Sequence, residues 1–371
     1  MRVPESIQAE LMQQLSAIQD GSATPGVMGY LANIWREVSD NKNTEIERHF
    51  VQRFGTDGFM LYQAAKEGFK RCLDRKDLPT ALEIIEFYNQ DKIHRLDFPC
   101  LIGIELIWQD TPAKVTRLSE DAVASITAFY FCGHGSMPDW LNKLAENYLN
   151  VIADVMISFA KHYKKIGLPE SPINAGFYQL LINAQIVQAT VLKLLQIFPL
   201  RARKAQLAYL NRLLQSAFNQ PLIDLKIVIQ HKISLKGIDA AQKVYWYAAA
   251  TLLSPTQYAP QLLKYVGQSS TKILTLAAFI DVNLKYILAS YPLPENVIAD
   301  FIELFTPHFE VFPKAIYAVY DNVLIQRLIE TLRQMPTEAA GDALLRLCHS
   351  ESTEKIHPLL NQAYQAQQHN H

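Results

Sequence analysis

The chain has 371 residues, 49% of them hydrophobic and 19% charged, and its formal net charge is -1. A single compact core rarely encloses so many residues, so the length predicts either two domains or one extended array of repeats. The near-neutral charge excludes a molecule-wide attraction to nucleic acid or acidic lipid, which leaves only local patches to be judged.

Helical periodicity runs through almost the whole sequence. Apolar residues recur at steps of three and four, for example at Leu180, Ala184 and Val187, which is the pattern of one buried helix face. A hydroxyl residue before a proline, as at Thr24-Pro25 and Ser254-Pro255, marks the start of a helix. In chain order, helices are predicted at residues 4–19, 25–39, 44–54, 57–74, 78–90, 97–109, 119–132, 137–146, 148–165, 172–198, 200–218, 221–233, 237–253, 256–267, 270–290, 294–305, 312–334, 337–348 and 351–366.

The predicted fold class is all-α, an α-solenoid of antiparallel helix hairpins. Short connections force neighbouring helices to pack antiparallel, and the hairpins outnumber what one bundle core can enclose. The helix predicted at 237–253 is apolar on most sides, as expected in the middle of an array. No fixed sequence period is found, which favours degenerate HEAT-like repeats. We expect an N-terminal helical region (1–95), HEAT-like repeats (96–349) and a C-terminal helix with a frayed tail (350–371), all in one continuous array.

Features of membrane and secreted proteins are missing from the sequence. The most apolar stretch, residues 177–198, contains Gln, Asn and Lys, which a bilayer-spanning helix excludes. The N-terminal residues are polar and lack the apolar core of a signal peptide. We therefore expect a cytoplasmic protein with no membrane partner. The cysteines lie too far apart for a zinc or redox motif, which predicts buried free thiols in a reducing compartment. They are Cys72, Cys100, Cys132 and Cys348.

The sequence lacks the short motifs of several common enzyme and cofactor sites. The sequence contains no P-loop, no Gly-x-Gly-x-x-Gly, no His-Glu-x-x-His and no Gly-x-Ser-x-Gly, so the sites built on them are excluded. The run from Cys132 to His134 could supply a nucleophile or half a metal site. The same run is typical of a helix end followed by a glycine turn, which we favour. Acid pairs within 74–77 and 83–86 are interpreted as solvated surface. We expect no enzyme activity, cofactor or metal.

One candidate binding edge emerges from the spacing of basic residues. Arg201, Arg203 and Lys204 begin one predicted helix, and Lys232 and Lys236 end the next. Antiparallel packing brings these two groups to one edge. The helix dipole favours cations at a helix C-terminus but not at a helix start. Helix-end chemistry therefore explains Lys232 but not residues 201–204. We still favour ordinary helix-end surface for this edge, and the alternative is a docking edge for an acidic protein surface or a phosphate backbone.

Several stretches of the first two-thirds of the chain are similar to a known family. They comprise residues 19–25, 31–37 with the segment to Asp74, 118–122, 128–131, 137–141 and 151–155. Together they resemble the degenerate helical-repeat region of large bacterial NACHT-type signalling NTPases, with the Pro138-Asp139-Trp140 turn as the most suggestive element. The P-loop module of that family has no counterpart here. The resemblance implies a sensor or scaffold surface, often in defence against phage, and transfers no catalytic residue.

Three functions stay open at this point. The leading expectation is a non-enzymatic binding scaffold that recognises a protein partner on its concave surface. The alternative is a nucleic-acid-binding HEAT-like protein, similar to the alkylpurine DNA glycosylases of that architecture. Such a protein needs a basic concave channel, and the net charge of -1 weighs against it. The third is an enzyme with a site dispersed over the fold.

Overall fold

The computed structural model describes residues 3–38, 43–132, 138–164, 177, 180–220, 222–289, 291–308 and 323–368. Within these ranges every regular element is a helix and none is a strand, which confirms the all-α prediction. No helix in this part of the chain is long and apolar enough to cross a bilayer. The chain divides into two compact units, Met1–Ile197 and Phe198–His371. This boundary falls inside the predicted repeat region, and the predicted divisions near residues 95 and 349 stay predictions.

The first unit contains the helices before Phe198. In chain order they are α1 (Glu5–Gln13), α2 (Leu15–Gln19), α3 (Pro25–Arg36), α4 (Asn43–Phe54), α5 (Gly58–Arg71), α6 (Ala81–Asn89), α7 (Asp97–Asp110), α8 (Glu120–Phe131), α9 (Asp139–Asn147), α10 (Leu149–His162) and α11 (Ala184–Ile197).

Close backbone contacts hold α5 at the centre of this unit. A Cβ atom at Gly68 would lie 1.9 Å from the carbonyl oxygen of Ile18, and one at Gly103 would lie 2.1 Å from that of Phe69. Only glycine permits these approaches, because any side chain would overlap the neighbouring backbone. The Trp35 ring stacks on Tyr62 with 5.4 Å between centroids, which fills the space beside them.

The second unit contains the remaining helices. They are α12 (Lys204–Phe218), α13 (Leu225–Ser234), α14 (Ala240–Leu253), α15 (Pro255–Val266), α16 (Ser270–Ala289), α17 (Glu295–Phe305), α18 (Val323–Gln334), α19 (Glu338–Cys348) and α20 (His357–Gln368).

Helix α14 lies at the centre of the second unit. It packs against α13, α15 and α16, and Trp246, Ala248 and Ala249 on it are fully buried. The helix expected at 237–253 is thus buried between neighbouring helices, as its apolar faces predicted. Ser254 alone separates α14 from α15, so the two helices run antiparallel.

Several predicted helix boundaries need correction. The helix expected at 4–19 is interrupted at Gln14. The helix expected at 200–218 begins only at Lys204. In the described part of the helix expected at 172–198, Phe177 and Leu180 are helical, and residues 181–183 interrupt the helix. A new helix begins at Ala184, because the side chain of Asn183 accepts hydrogen bonds from the backbone N–H groups of Gln185 and Ile186 and caps it there. The apolar spacing of Leu180 and Ala184 continues across this cap and conceals it. Residues 312–322 of another predicted helix lie outside the described residues.

Candidate functional site

A groove with a volume of about 950 Å³ lies in the second unit and is partly open to solvent. Its walls come from α12, α14, α16 and α18, which alternate with α13, α15 and α17 among the described helices. The groove is lined by Ala202, Leu207, Ala208, Asn211, Asp239, Ala241, Tyr245, Thr271, Leu274, Thr275, Ala277, Ala278, Asp281, Val282, Leu324 and Ile325.

The groove is lined mainly by apolar side chains, which we call its floor. The side chain of Val282 is 50% exposed, and Ala208 and Ala278 are also exposed. Tyr245 packs edge to face on Phe279 with 5.1 Å between ring centroids, which fixes its position in the wall. Small and apolar side chains beside a few polar groups are typical of a binding site.

A hydrogen bond between two asparagine side chains connects two helices that line the groove. Asn283 is fully buried and donates from Nδ2 to Oδ1 of Asn211, 2.8 Å away, and to the carbonyl oxygen of Phe279, 2.7 Å away. Asn211 belongs to α12 and Asn283 to α16, so the hydrogen bond connects two of the helices that line the groove. Asn211 lines the groove, is only partly buried and uses its oxygen in this bond, so its amide N–H groups are the donors that it can offer to a ligand.

Two acidic residues of the groove already have partners. Asp281 lies 3.5 Å from a guanidinium nitrogen of Arg327. Asp239 caps α14, since its carboxylate accepts from the backbone N–H of Ala241 at 2.9 Å and of Gln242 at 3.3 Å. The negative charge of Asp239 is thus offset by the positive end of the helix dipole.

The structure contradicts the predicted basic edge at Lys232. Lys232 is 2% exposed, and its Nζ donates to the carbonyl oxygen of Phe198 at 2.8 Å. Burial lowers the pKa of this amine to about 8. Lys232 is therefore a structural residue and not part of a docking edge. Arg201, Arg203 and Lys236 are exposed, and only the backbone of Lys204 lies in the described part of the chain.

Backbone contacts bring the two segments of that edge together, as the antiparallel alternation predicted. The N–H of Asp239 donates to the carbonyl oxygen of Leu200 at 3.0 Å. Nε2 of Gln242 donates to the carbonyl oxygen of Pro199 at 2.9 Å. The turn before α12 is thus attached to the turn before α14. Ala202, in the first of these turns, lines the groove.

A second set of cations extends this edge and was missed in the sequence. Lys272 Nζ lies 4.0 Å from the ring centroid of Tyr265 and donates to the carbonyl oxygen of the same residue. The hydroxyl of Tyr265 donates to the carbonyl oxygen of Ala240 at 3.2 Å. Lys243 lies 5.7 Å from the Tyr265 ring and 6.0 Å from that of Tyr247. The spacing of Lys243 and Tyr247, four residues apart on one helix face, was the signal available.

Together these residues form what we name the basic end of the second unit. It is defined by Arg201, Arg203, Lys236, Lys243, Lys264 and Lys272. These cations lie before or at the starts of α12, α14 and α16 and at the end of α15. Within the described part of the chain, none of them forms an ion pair. Asp239 is the only acid in the segments 199–206, 231–243 and 264–272, and it caps a helix.

The remaining candidate residues lie apart from the groove. Cys132 is buried, and burial raises the pKa of its thiol well above the usual value, which disfavours the thiolate that a nucleophile needs. His134 lies outside the described residues. Asp77 pairs with Arg75, and Glu83 caps α6 with Thr80, in agreement with the surface interpretation of both acid pairs.

One acid in the first unit is buried without an ion pair among the described residues. Asp97 is 1% exposed, accepts a hydrogen bond from the Tyr88 hydroxyl at 2.5 Å, and keeps its other oxygen unpartnered. Burial raises the pKa of Asp97 to about 7. In the parts of the chain described here, no three His, Cys, Asp or Glu side chains lie close enough together to hold a metal ion.

Comparison with known proteins gave no relative. No protein-family model, no curated protein and no solved structure matches this chain with significant similarity. Function is therefore inferred from the groove and its surroundings.

Proposed function

We propose that this protein is a non-enzymatic binding scaffold, an α-solenoid of HEAT-like helix hairpins that binds a segment of a protein partner in the groove of its second unit. The groove itself supports this proposal most directly. Its walls are alternate helices along the chain, as expected when one layer of a two-layered array forms a continuous surface.

The shape of the groove favours a protein segment over a small molecule. A small ligand is usually buried over most of its surface, whereas this groove is partly open and exposes Val282, Ala208 and Ala278 along its floor. An amphipathic helix would cover these residues with its apolar face and leave its polar face in water. Asn211 would donate hydrogen bonds to the polar margin of such a helix.

A sensor role in signalling or defence is part of the proposal. It is supported by the resemblance to the repeat region of NACHT-type NTPases, in which such arrays act as sensor or scaffold surfaces. Nucleic-acid binding is the second candidate function, because the cations of the basic end form no ion pair among the residues that the structure describes.

Selection from a library of random helix-length peptides displayed on phage tests the groove. The protein is immobilised, and bound peptides are sequenced. We expect peptides with apolar residues at helical spacing to be enriched, and to be lost when Ala208→Trp fills the groove. The matched control is Ala339→Trp, an exposed alanine on α19 outside the groove. Enrichment that is absent, or that Ala208→Trp leaves unchanged, would refute the proposal.

A further inference from the structure

The basic end lies directly at one mouth of the groove. Ala202, Asp239 and Thr271 line the groove. Ala202 lies between Arg201 and Arg203, Asp239 follows Lys236 by three residues, and Thr271 directly precedes Lys272. The hydrogen bonds from Asp239 to Leu200 and from Tyr265 to Ala240 hold these turns together. A chain lying along the groove and leaving it at this mouth therefore passes the basic end.

In the segments that carry the basic end, the cations outnumber the one acid, Asp239, whereas cations farther along the unit are paired. The arginines of the last helices are neutralised, since Arg327 pairs with Asp281, Arg333 with Glu330, and Arg346 with Asp300. Among the residues that the structure describes, the cations of the basic end form no such pair. The starts of α12, α14 and α16 add partial positive charge at the same mouth.

We propose that the segment bound in the groove is an amphipathic helix with a cluster of acidic residues at one end, and that this cluster docks on the basic end. The inference rests on the proposed function and specifies its ligand. Apolar side chains of the segment occupy the floor, and its carboxylates lie near Arg201, Arg203 and Lys236. Because these three side chains are exposed, their electrostatic attraction to the carboxylates is weakened by salt.

The tyrosines of this region favour an acidic peptide over a nucleic acid. Single-stranded nucleic acid binds by stacking its bases on free aromatic faces beside cations. Here the rings of Tyr247 and Tyr265 lie against each other with 5.2 Å between centroids. Lys272 covers Tyr265 at 4.0 Å. These rings are therefore engaged within the protein, and the groove beside them has an apolar floor suited to side chains.

The test uses the peptides enriched in the display selection. Their net charge is compared with that of the starting library, and their affinities are measured by fluorescence anisotropy at low and high salt. The proteins are the wild type, Arg201→Glu/Arg203→Glu/Lys236→Glu, and a control with the same change of net charge outside the basic end. That control is Lys161→Glu/Lys193→Glu/Lys226→Glu, at exposed lysines. Oligothymidylate is the nucleic-acid probe.

We expect groove-dependent peptides to be acidic and to lose about 10-fold in affinity with the basic-end variant but not with the control. High salt should weaken wild-type binding and remove that difference. Groove-dependent peptides of neutral or positive charge, bound equally by all three proteins, would overturn this inference and leave the proposed function standing. Tight, steeply salt-dependent oligothymidylate binding with no charge preference among the peptides would replace it with nucleic-acid binding. If no groove-dependent peptide is found, the proposed function fails as well.

Discussion

Lys232 and Phe198 are joined by a hydrogen bond from Nζ to the backbone carbonyl oxygen, 2.8 Å long and buried. The same amine lies 5.8 Å from the centroid of the Trp246 ring. The bond attaches the end of α13 to the start of the second unit, at the turn that leads to Arg201 and Arg203. Sequence spacing assigned Lys232 to a binding edge. The structure shows instead a buried hydrogen bond that positions the turn before Arg201 and Arg203.

The first prediction is that Lys232 makes the stability of the folded protein increase with pH in the alkaline range. Its pKa is lowered by burial from 10.5 to about 8. Between these values the unfolded chain holds a proton that the folded protein lacks, so stability rises as the pH increases. Lys232→Met removes this term. Urea unfolding should show the wild type gaining up to about 3 kcal/mol on the variant between about pH 7 and about pH 10. Parallel pH profiles for the two proteins would refute the prediction.

The second prediction concerns the buried acid Asp97. Burial raises its pKa from 3.8 to about 7. Between these values the folded protein binds the proton that the unfolded chain has released, so this group costs stability as the pH rises. Asp97→Asn avoids that cost. The variant should gain up to about 4 kcal/mol relative to the wild type between about pH 4 and about pH 8.

Asp77 supplies a control of opposite sign for this measurement. The Arg75 guanidinium lowers the pKa of Asp77, so its contribution is present at neutral pH and is lost as the pH falls through that lowered pKa. Asp77→Asn should therefore lose stability relative to the wild type as the pH rises. The same trend with pH in both variants would show that the Asp97 effect is not due to its burial.

Local signals in the sequence predicted most helices, but not the direction of single side chains. Thr24 precedes Pro25, and its hydroxyl accepts from the N–H of Val27 at 3.4 Å, as a capping residue should. Ser254 also precedes a proline, yet it makes no capping bond. The helix that contains Lys232 was predicted as well. Whether that lysine points into solvent or toward Phe198 depends on a turn 34 residues away, which no local spacing records.

The groove could not be predicted for the same reason. It is formed by side chains of four helices spread between Ala202 and Ile325. The hydrogen bond between the side-chain amides of Asn211 and Asn283 spans 72 residues of sequence. In contrast, the pairing of the turns near Arg201 and Lys236 was accessible, because it follows from the alternation of antiparallel helices.

The third prediction tests the close contact that positions α5. Alanine normally stabilises a helix by about 1 kcal/mol relative to glycine. At Gly68 the added methyl group would lie 1.9 Å from the carbonyl oxygen of Ile18, so the sign should reverse. We expect Gly68→Ala to destabilise the protein by about 1–3 kcal/mol in thermal or urea unfolding.

Gly341 is the matched control for that substitution. It also lies within a helix, α19, but the atoms nearest to an added methyl group are the side-chain ends of Gln367 and Gln368 at 3.0 and 3.1 Å, so a small shift of these side chains relieves the contact. Gly341→Ala should therefore be neutral or slightly stabilising. Equal effects of the two substitutions would mean that the approach of α5 to Ile18 is not as close as described.

The fourth prediction is that stability and binding oppose each other at Arg203. This residue is the N-cap of α12, where its N–H donates to Oε1 of Gln206 at 2.9 Å, but its cationic side chain cannot accept from the first N–H groups of the helix. Arg203→Asp supplies an acceptor and a charge that favours the helix dipole. The variant should be more stable by about 1 kcal/mol, or about 2–4 °C in melting temperature. Its affinity for acidic peptides should fall.

Arg203→Ala removes the cation without adding a cap, so it should lower the affinity for the same peptides with no rise in melting temperature. A melting temperature that Arg203→Asp leaves unchanged or lowers would contradict the capping geometry, whereas unchanged peptide affinity in both variants would remove Arg203 from the docking surface.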